Sequence, residues 1–121
     1  MKAFCAATIF QVRDLSIAVP FYTEVLGFTK YFEFASIVGI ELGEVRIHLS
    51  GPEAQGHKKA IGEGDMYIFC DEVDDYFRDI STKGANTFAP PEDRGYGMRD
   101  FAVQDPDGNV LAFGKNIEGE K

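Results

Sequence analysis

Apolar positions recur at helical spacing in two places along the chain. From Asp14 onward, Leu15, Ala18, Val19, Tyr22, Val25 and Leu26 fall on one face of a helix. Asp14 suits its N-cap and Gly27 its stop, while Pro20 should loosen or kink it. In the second helix Val73, Tyr76, Phe77 and Ile80 stand at i, i+3, i+4 and i+7. Asp71, Glu72, Asp74 and Asp75 crowd its start, where the helix dipole favours negative charge. Lys83 and Gly84 close it. Each helix follows a strand-like run, "AATIFQV" and "DMYIFC". After the first helix come "TKYFEF", "SIVGIEL" and "EVRIHLS"; after the second come "NTFA", "MRDFAVQ" and "NVLAFG". The predicted order is β-α-β-β-β, twice.

The halves also match weakly under a shift of 58 residues, which carries Ile9 to Tyr67, Val12 to Cys70 and Asp14 to Glu72. A period of this length points to a duplicated supersecondary unit rather than a solenoid. The expected organisation is one α+β domain over residues 1–121. Its first βαβββ unit covers 1–50, a linker 51–64 and a second βαβββ unit 65–121. The linker, "GPEAQGHKKAIGEG", has no periodicity, and its His57 reads as solvated. One unit with a helix on one side leaves its other sheet face bare. Two such faces curling together would make a mixed sheet with a concave cleft for a ligand.

Composition narrows the partners. A formal net charge of −8 argues against nucleic acid and suits a cationic small molecule. No run approaches the roughly 18 apolar residues of a membrane helix, so no membrane partner is expected. The start, "MKAFCAATIFQVRD", holds no convincing signal peptide, and the expected location is the cytoplasm. Cys5 and Cys70 are too few for a disulfide framework and read as reduced strand residues. "GEGDMY" lacks the third glycine of a dinucleotide fingerprint, and two histidines build no recognisable nucleophilic triad.

The most specific stretch is "GMRDFAVQDPDGNVLAFG", with Asp105-Pro106-Asp107-Gly108 as a type I turn. Together with "VRDLSIAVPFYTEVLGF", it resembles the vicinal oxygen chelate superfamily, which includes glyoxalase I, extradiol dioxygenases and bleomycin resistance proteins. The likeness covers nearly the whole chain and is greatest to bleomycin-resistance-like proteins. In the superfamily's metal enzymes four positions hold the metal. Here those positions are Ala7, His48, Asp65 and Ala112. Alanine has no donor atom, and two side chains plus waters hold a divalent ion weakly. No metal, no other cofactor and no catalytic residue is therefore expected.

The resemblance implies a homodimer whose clefts use both subunits, and a ligand of the bleomycin type, a cationic glycopeptide with flat aromatic rings. The expected ligand-binding residues are Arg46, His48, Asp65, Tyr96, Asp100, Phe32 and Phe34. Arg46 and His48 alternate with Val45, Ile47 and Leu49, so they face the cleft if those three pack under a helix. Phe32 and Phe34 alternate with Tyr31 and Glu33, so one pair faces inward and the other outward. Tyr96, in "RGYGMRDF", has no core periodicity and suits stacking on a planar ligand. Asp65 and Asp100 are candidates to attract a positive tail. The alternatives are an enzyme of the same fold, a lyase, isomerase or dioxygenase acting on a small carbonyl metabolite with His48 as base, and a binder of an unknown metabolite.

Overall fold

A computed structural model describes residues 1–56 and 58–118; His57, read above as solvated, lies outside the described residues. Strand β1 (Thr8–Gln11) leads into helix α1 (Leu15–Pro20), then β2 (Thr29–Phe34), β3 (Ile37–Leu42) and β4 (Val45–Ser50). After the linker come β5 (Asp65–Phe69), helix α2 (Val73–Thr82), two short strands β6 (Asn86–Thr87) and β7 (Glu92–Asp93), then β8 (Met98–Gln104) and β9 (Val110–Asn116). The first sheet has the order β1-β4-β3-β2; the second has β5-β9-β8-β6, with β7 also on β8. In each, the strand before the helix pairs parallel with the last strand and the other pairings are antiparallel. This is the expected mixed α+β architecture.

Local chemistry accounts for the elements. The Asp14 carboxylate caps α1 by accepting from the Ser16 amide at 2.9 Å. Pro20 brings no N–H to the helix, and past it the chain widens into a π-helical turn, Phe21–Val25, in which the Leu26 amide reaches the Phe21 carbonyl. The expected kink at Pro20 is this change of winding. Helix α2 buries Val73 and Ile80, as its periodicity requires. The expected strand "NTFA" is cut to Asn86–Thr87, because Pro90 and Pro91 offer no amide hydrogens to the ladder. Neither cysteine lies inside a strand: Cys5 is exposed ahead of β1 and Cys70 follows β5. Among the described residues no helix is long and apolar enough to cross a membrane.

The two sheets share one core. Phe10, Ile40, Ile47 and Leu49 from the first meet Ile68, Phe101, Leu111 and Phe113 from the second, with Tyr22, Leu26 and Ile80 of the helical segments among them. The Tyr76 hydroxyl of α2 donates to the Leu26 carbonyl at 2.6 Å. Leu42 of the first sheet opens on the same hollow as Ile68 and Phe113 of the second. The helix-covered faces thus look inward, and the opposite face of each sheet looks away from the core.

The β8–β9 turn fastens the two halves. Its Asp105, 4% exposed, accepts from the Tyr22 hydroxyl at 2.8 Å and from the Asp107 amide, the Asn109 amide and Asn109 Nδ2, each at 2.9 Å. Asn109, fully buried, donates to the Gln11 carbonyl and accepts from the Gly64 amide. One turn therefore ties β1, the π-helical turn and the start of β5 together.

Candidate functional site

Strand alternation decides which side chains stand on the outward faces. In the first sheet Ile9 pairs with His48 and His48 with Gly39, while Gln11 pairs with Ser50 and Ser50 with Ile37. Ile47 and Leu49 are buried in the core, so Arg46 and His48 face out. Over Gly39 the Phe32 ring folds back and meets His48 edge-on, with centroids 5.0 Å apart. The Tyr31 hydroxyl lies 2.8 Å from His48 Nε2. Tyr31 and Phe32 therefore approach the same histidine, against the alternation expected of this strand. The cause is a register shift between Lys30 and Phe32, a bulge that inserts one residue opposite β3. Phe34 is 76% exposed. Arg46 is held by Glu41 at 3.3 Å and by Cys5 Sγ at 2.9 Å, with its guanidinium 5.3 Å from the Tyr31 ring centre.

The second sheet carries a different chemistry outward. The row Tyr67–Ala112–Ala102 forms a low floor, and the backbone bond from Phe88 to Ala102 sets Phe88 at its far side. Tyr67 leans over Gly114, where a Cβ would collide with its ring. Around Asp100 a cluster closes. Its carboxylate accepts from the Tyr67 hydroxyl at 2.7 Å, the Tyr96 hydroxyl at 2.6 Å and Arg94 Nε at 2.7 Å. Burial alone would raise the Asp100 pKa, but the bonds from Tyr96, Arg94 and Tyr67 outweigh it and hold the group below the usual carboxylate range. Burial and the same carboxylate push the Tyr67 hydroxyl up; the Asp100 bond pushes Tyr96 up. Both Asp100 oxygens are thus engaged within the sheet, and they fix the two tyrosines. Asp65 is the exposed acid of this face, at the edge of an open hollow of about 360 Å³ with Tyr67, Val110 and Ala112.

The seven expected residues thus fall in two groups. Arg46, His48, Phe32 and Phe34 lie on the first sheet; Asp65, Tyr96 and Asp100 belong to the second. Among the described residues no hydrogen bond or ring contact links one outward face to the other. Sequence reasoning missed Tyr31, Tyr67, Phe69, Phe88 and Arg94. Period-2 alternation with Ile68 could have placed Tyr67 and Phe69, since both flank a core residue.

The four family metal positions can be tested on their donors. Ala7 and Ala112 supply none, and His48 already meets Tyr31 through Nε2. The described residues hold no group of three or more His, Cys, Asp or Glu spaced for a metal ion. This donor set does not fit the superfamily's metal, and no step is derived through one.

Comparison with known proteins agrees with this architecture. The bleomycin resistance protein of Geobacillus stearothermophilus is 29% identical over 124 aligned positions, covering 88% of this chain and 92% of that one. A member of the glyoxalase/bleomycin resistance protein/dioxygenase superfamily from Sphaerobacter thermophilus superposes with a TM-score of 0.81 at 22% identity, over 95% and 98% of the two chains. Lactoylglutathione lyase from Agrobacterium tumefaciens superposes at 0.78 with 21% identity, over 95% and 94%. The model of the Glyoxalase/Bleomycin resistance protein/Dioxygenase superfamily matches residues 5–113, and the chain belongs to that superfamily.

Proposed function

We propose that this chain binds a flat, cationic small molecule of the bleomycin type and acts by sequestering it. The observation that carries this reading is the pair of outward faces. Each exposes large aromatic side chains that the core does not use: Tyr31 and Phe34 on one, Phe69 and Tyr96 on the other. Exposed apolar clusters of this kind mark contact surfaces. Rings offered edge-on or flat suit planar ligand groups. Within one chain the two faces point apart. The proposed site is therefore completed by a second copy, with the first-sheet face of one subunit set against the second-sheet face of its partner. Asp65 attracts the positive tail, and Tyr96, fixed by Asp100, stacks. The curated relatives named as bleomycin resistance proteins support the ligand class. Sequestration needs no reacting group, because tight binding lowers the free drug by mass action.

Calorimetric titration with bleomycin tests the reading. Heat of binding is expected, weakening at high salt as exposed charges are screened. Tyr96→Ala should reduce affinity by about 1 kcal/mol or more through lost stacking and contact area. Silence at millimolar drug, with unchanged bleomycin sensitivity in expressing cells, would sink the proposal.

The shared site carries a separate expectation: sedimentation at micromolar concentration should show a homodimer. A clean monomer that still binds drug would mean that one face suffices.

A further inference from the structure

Between β1, β4 and the linker lies a small hollow of about 90 Å³, lined by Ile9, Gln11, Ile37, His48, Ser50, Gln55 and Lys58. Gln11 and Ser50 are 7% and 4% exposed. Neither side chain hydrogen-bonds to a described residue. Yet among the described residues no fully enclosed side-chain nitrogen or oxygen lacks a partner. Both residues line the hollow, where nearly buried polar groups suit an incoming partner. Lys58 is fixed beside them, its ammonium donating to the Gly51 and Pro52 carbonyls at 3.1 and 3.0 Å. An ammonium has three N–H groups, so one remains for a ligand. No acidic side chain lines the hollow. That is unusual in a chain with 20 Asp and Glu against 12 Lys and Arg.

We infer that this hollow is a carboxylate subsite: the natural ligand carries a carboxylate that seats against Lys58, Ser50 and Gln11, with its apolar body running over Ile9 and Ile37 toward Phe32. The inference rests on the outward faces being the ligand surface and narrows the ligand to an aromatic zwitterion, whose cationic part meets Asp65 and whose carboxylate enters this hollow. The donors favour an acceptor-only group, and an ionised acceptor bonds about twice as strongly as a neutral one. A carboxylate is favoured over a phosphate because one lysine balances one negative charge. A dianion would leave an excess charge in a chain already at −8.

The test uses hydrocinnamate, its neutral analogue hydrocinnamide, and phenyl phosphate, each titrated into the full chain and followed by amide proton–nitrogen NMR. Hydrocinnamate is expected to move the Gln11 and Ser50 signals and to bind on the order of tenfold more tightly than hydrocinnamide. Phenyl phosphate should bind more weakly than the acid. Lys58→Met should erase the preference for acid over amide, and Lys58→Arg should keep it. Equal binding of acid and amide, tighter binding of the phosphate, or a preference that survives Lys58→Met would each overturn the subsite. So would shifts confined to Asp65 and Tyr67. The outcome separates from the drug titration. Bleomycin heat with a silent hollow removes the carboxylate subsite alone, whereas acid binding without bleomycin heat removes the drug reading alone.

Discussion

Asp105→Ala is expected to lower the unfolding free energy by about 3–5 kcal/mol, measured as a drop in urea midpoint at unchanged slope. The substitution removes four hydrogen bonds at once and strands the Tyr22 hydroxyl, the buried Asn109 amide and one of the two Nδ2 hydrogens of Asn109, the other still bonding the Gln11 carbonyl. It also loosens the turn that reaches β1 and the start of β5. Tyr22→Phe alone should cost about 1 kcal/mol, the net worth of one such bond. The two changes share a partner, so together they should fall short of additivity by about 1 kcal/mol. Strict additivity would show that the Tyr22–Asp105 contact does not couple the halves. An alkaline limit follows from the same pair. Burial, and then the Asp105 charge, push the Tyr22 hydroxyl well above its ordinary value. A raised pKa contributes stability that is complete below the unfolded value, about 10, and declines as pH rises beyond it. Unfolding free energy should therefore fall above about pH 10, and less steeply in Tyr22→Phe.

Asp100→Ala should affect recognition and stability together. Without the carboxylate, Tyr67 and Tyr96 lose the acceptor that orients them, and Arg94 keeps only Glu92 at 3.3 Å and the residue-100 carbonyl at 3.4 Å. The expected cost in stability is about 2 kcal/mol, below that of a fully buried pair because Arg94 is partly solvated. Bleomycin affinity should fall at least as far as in Tyr96→Ala, because both rings are released. Asp100→Asn keeps the shape and removes the charge, which isolates the electrostatic part. The folded pKa of Asp100 is depressed. Its stabilisation is therefore complete above the unfolded value of about 4 and is lost as pH falls through the lower folded value. The wild-type chain should show this acid loss and Asp100→Asn should not. Identical acid profiles would contradict the assigned network.

What could be read in advance was whatever one-dimensional periodicity encodes. Helix α2 was legible because Val73 and Ile80 sit on one buried stripe, and the outward direction of His48 because Ile47 and Leu49 flank it in the core. The Asp105–Gly108 turn was legible as well, and its Gly108 amide does return to the Asp105 carbonyl at 3.1 Å. Its energetic centre was not, since Tyr22 lies 83 residues away and no local signal names it. The bulge in β2 was also hidden: nothing in "TKYFEF" announces an inserted residue, and one insertion swings every following side chain to the opposite face. The strand that carries Asp100 is legible in the sequence, but the partners that hold its carboxylate, Arg94, Tyr67 and Tyr96, are not, because only the fold brings them to it.

Placing the helices between the sheets has a consequence for how such a protein diverges. Tyr31, Phe34, Phe69 and Phe88 stand outside the shared core. Exposed positions of that kind usually tolerate replacement within about 0.5 kcal/mol. On the proposed reading of these faces as the ligand surface, a lineage can therefore exchange them one at a time and alter what is recognised while folding stays intact. The Asp105 turn and the buried helical faces keep the scaffold constant meanwhile. The two sheets supply two such faces, each free to drift on its own, so on that reading specificity can evolve by half-steps rather than by rebuilding a pocket.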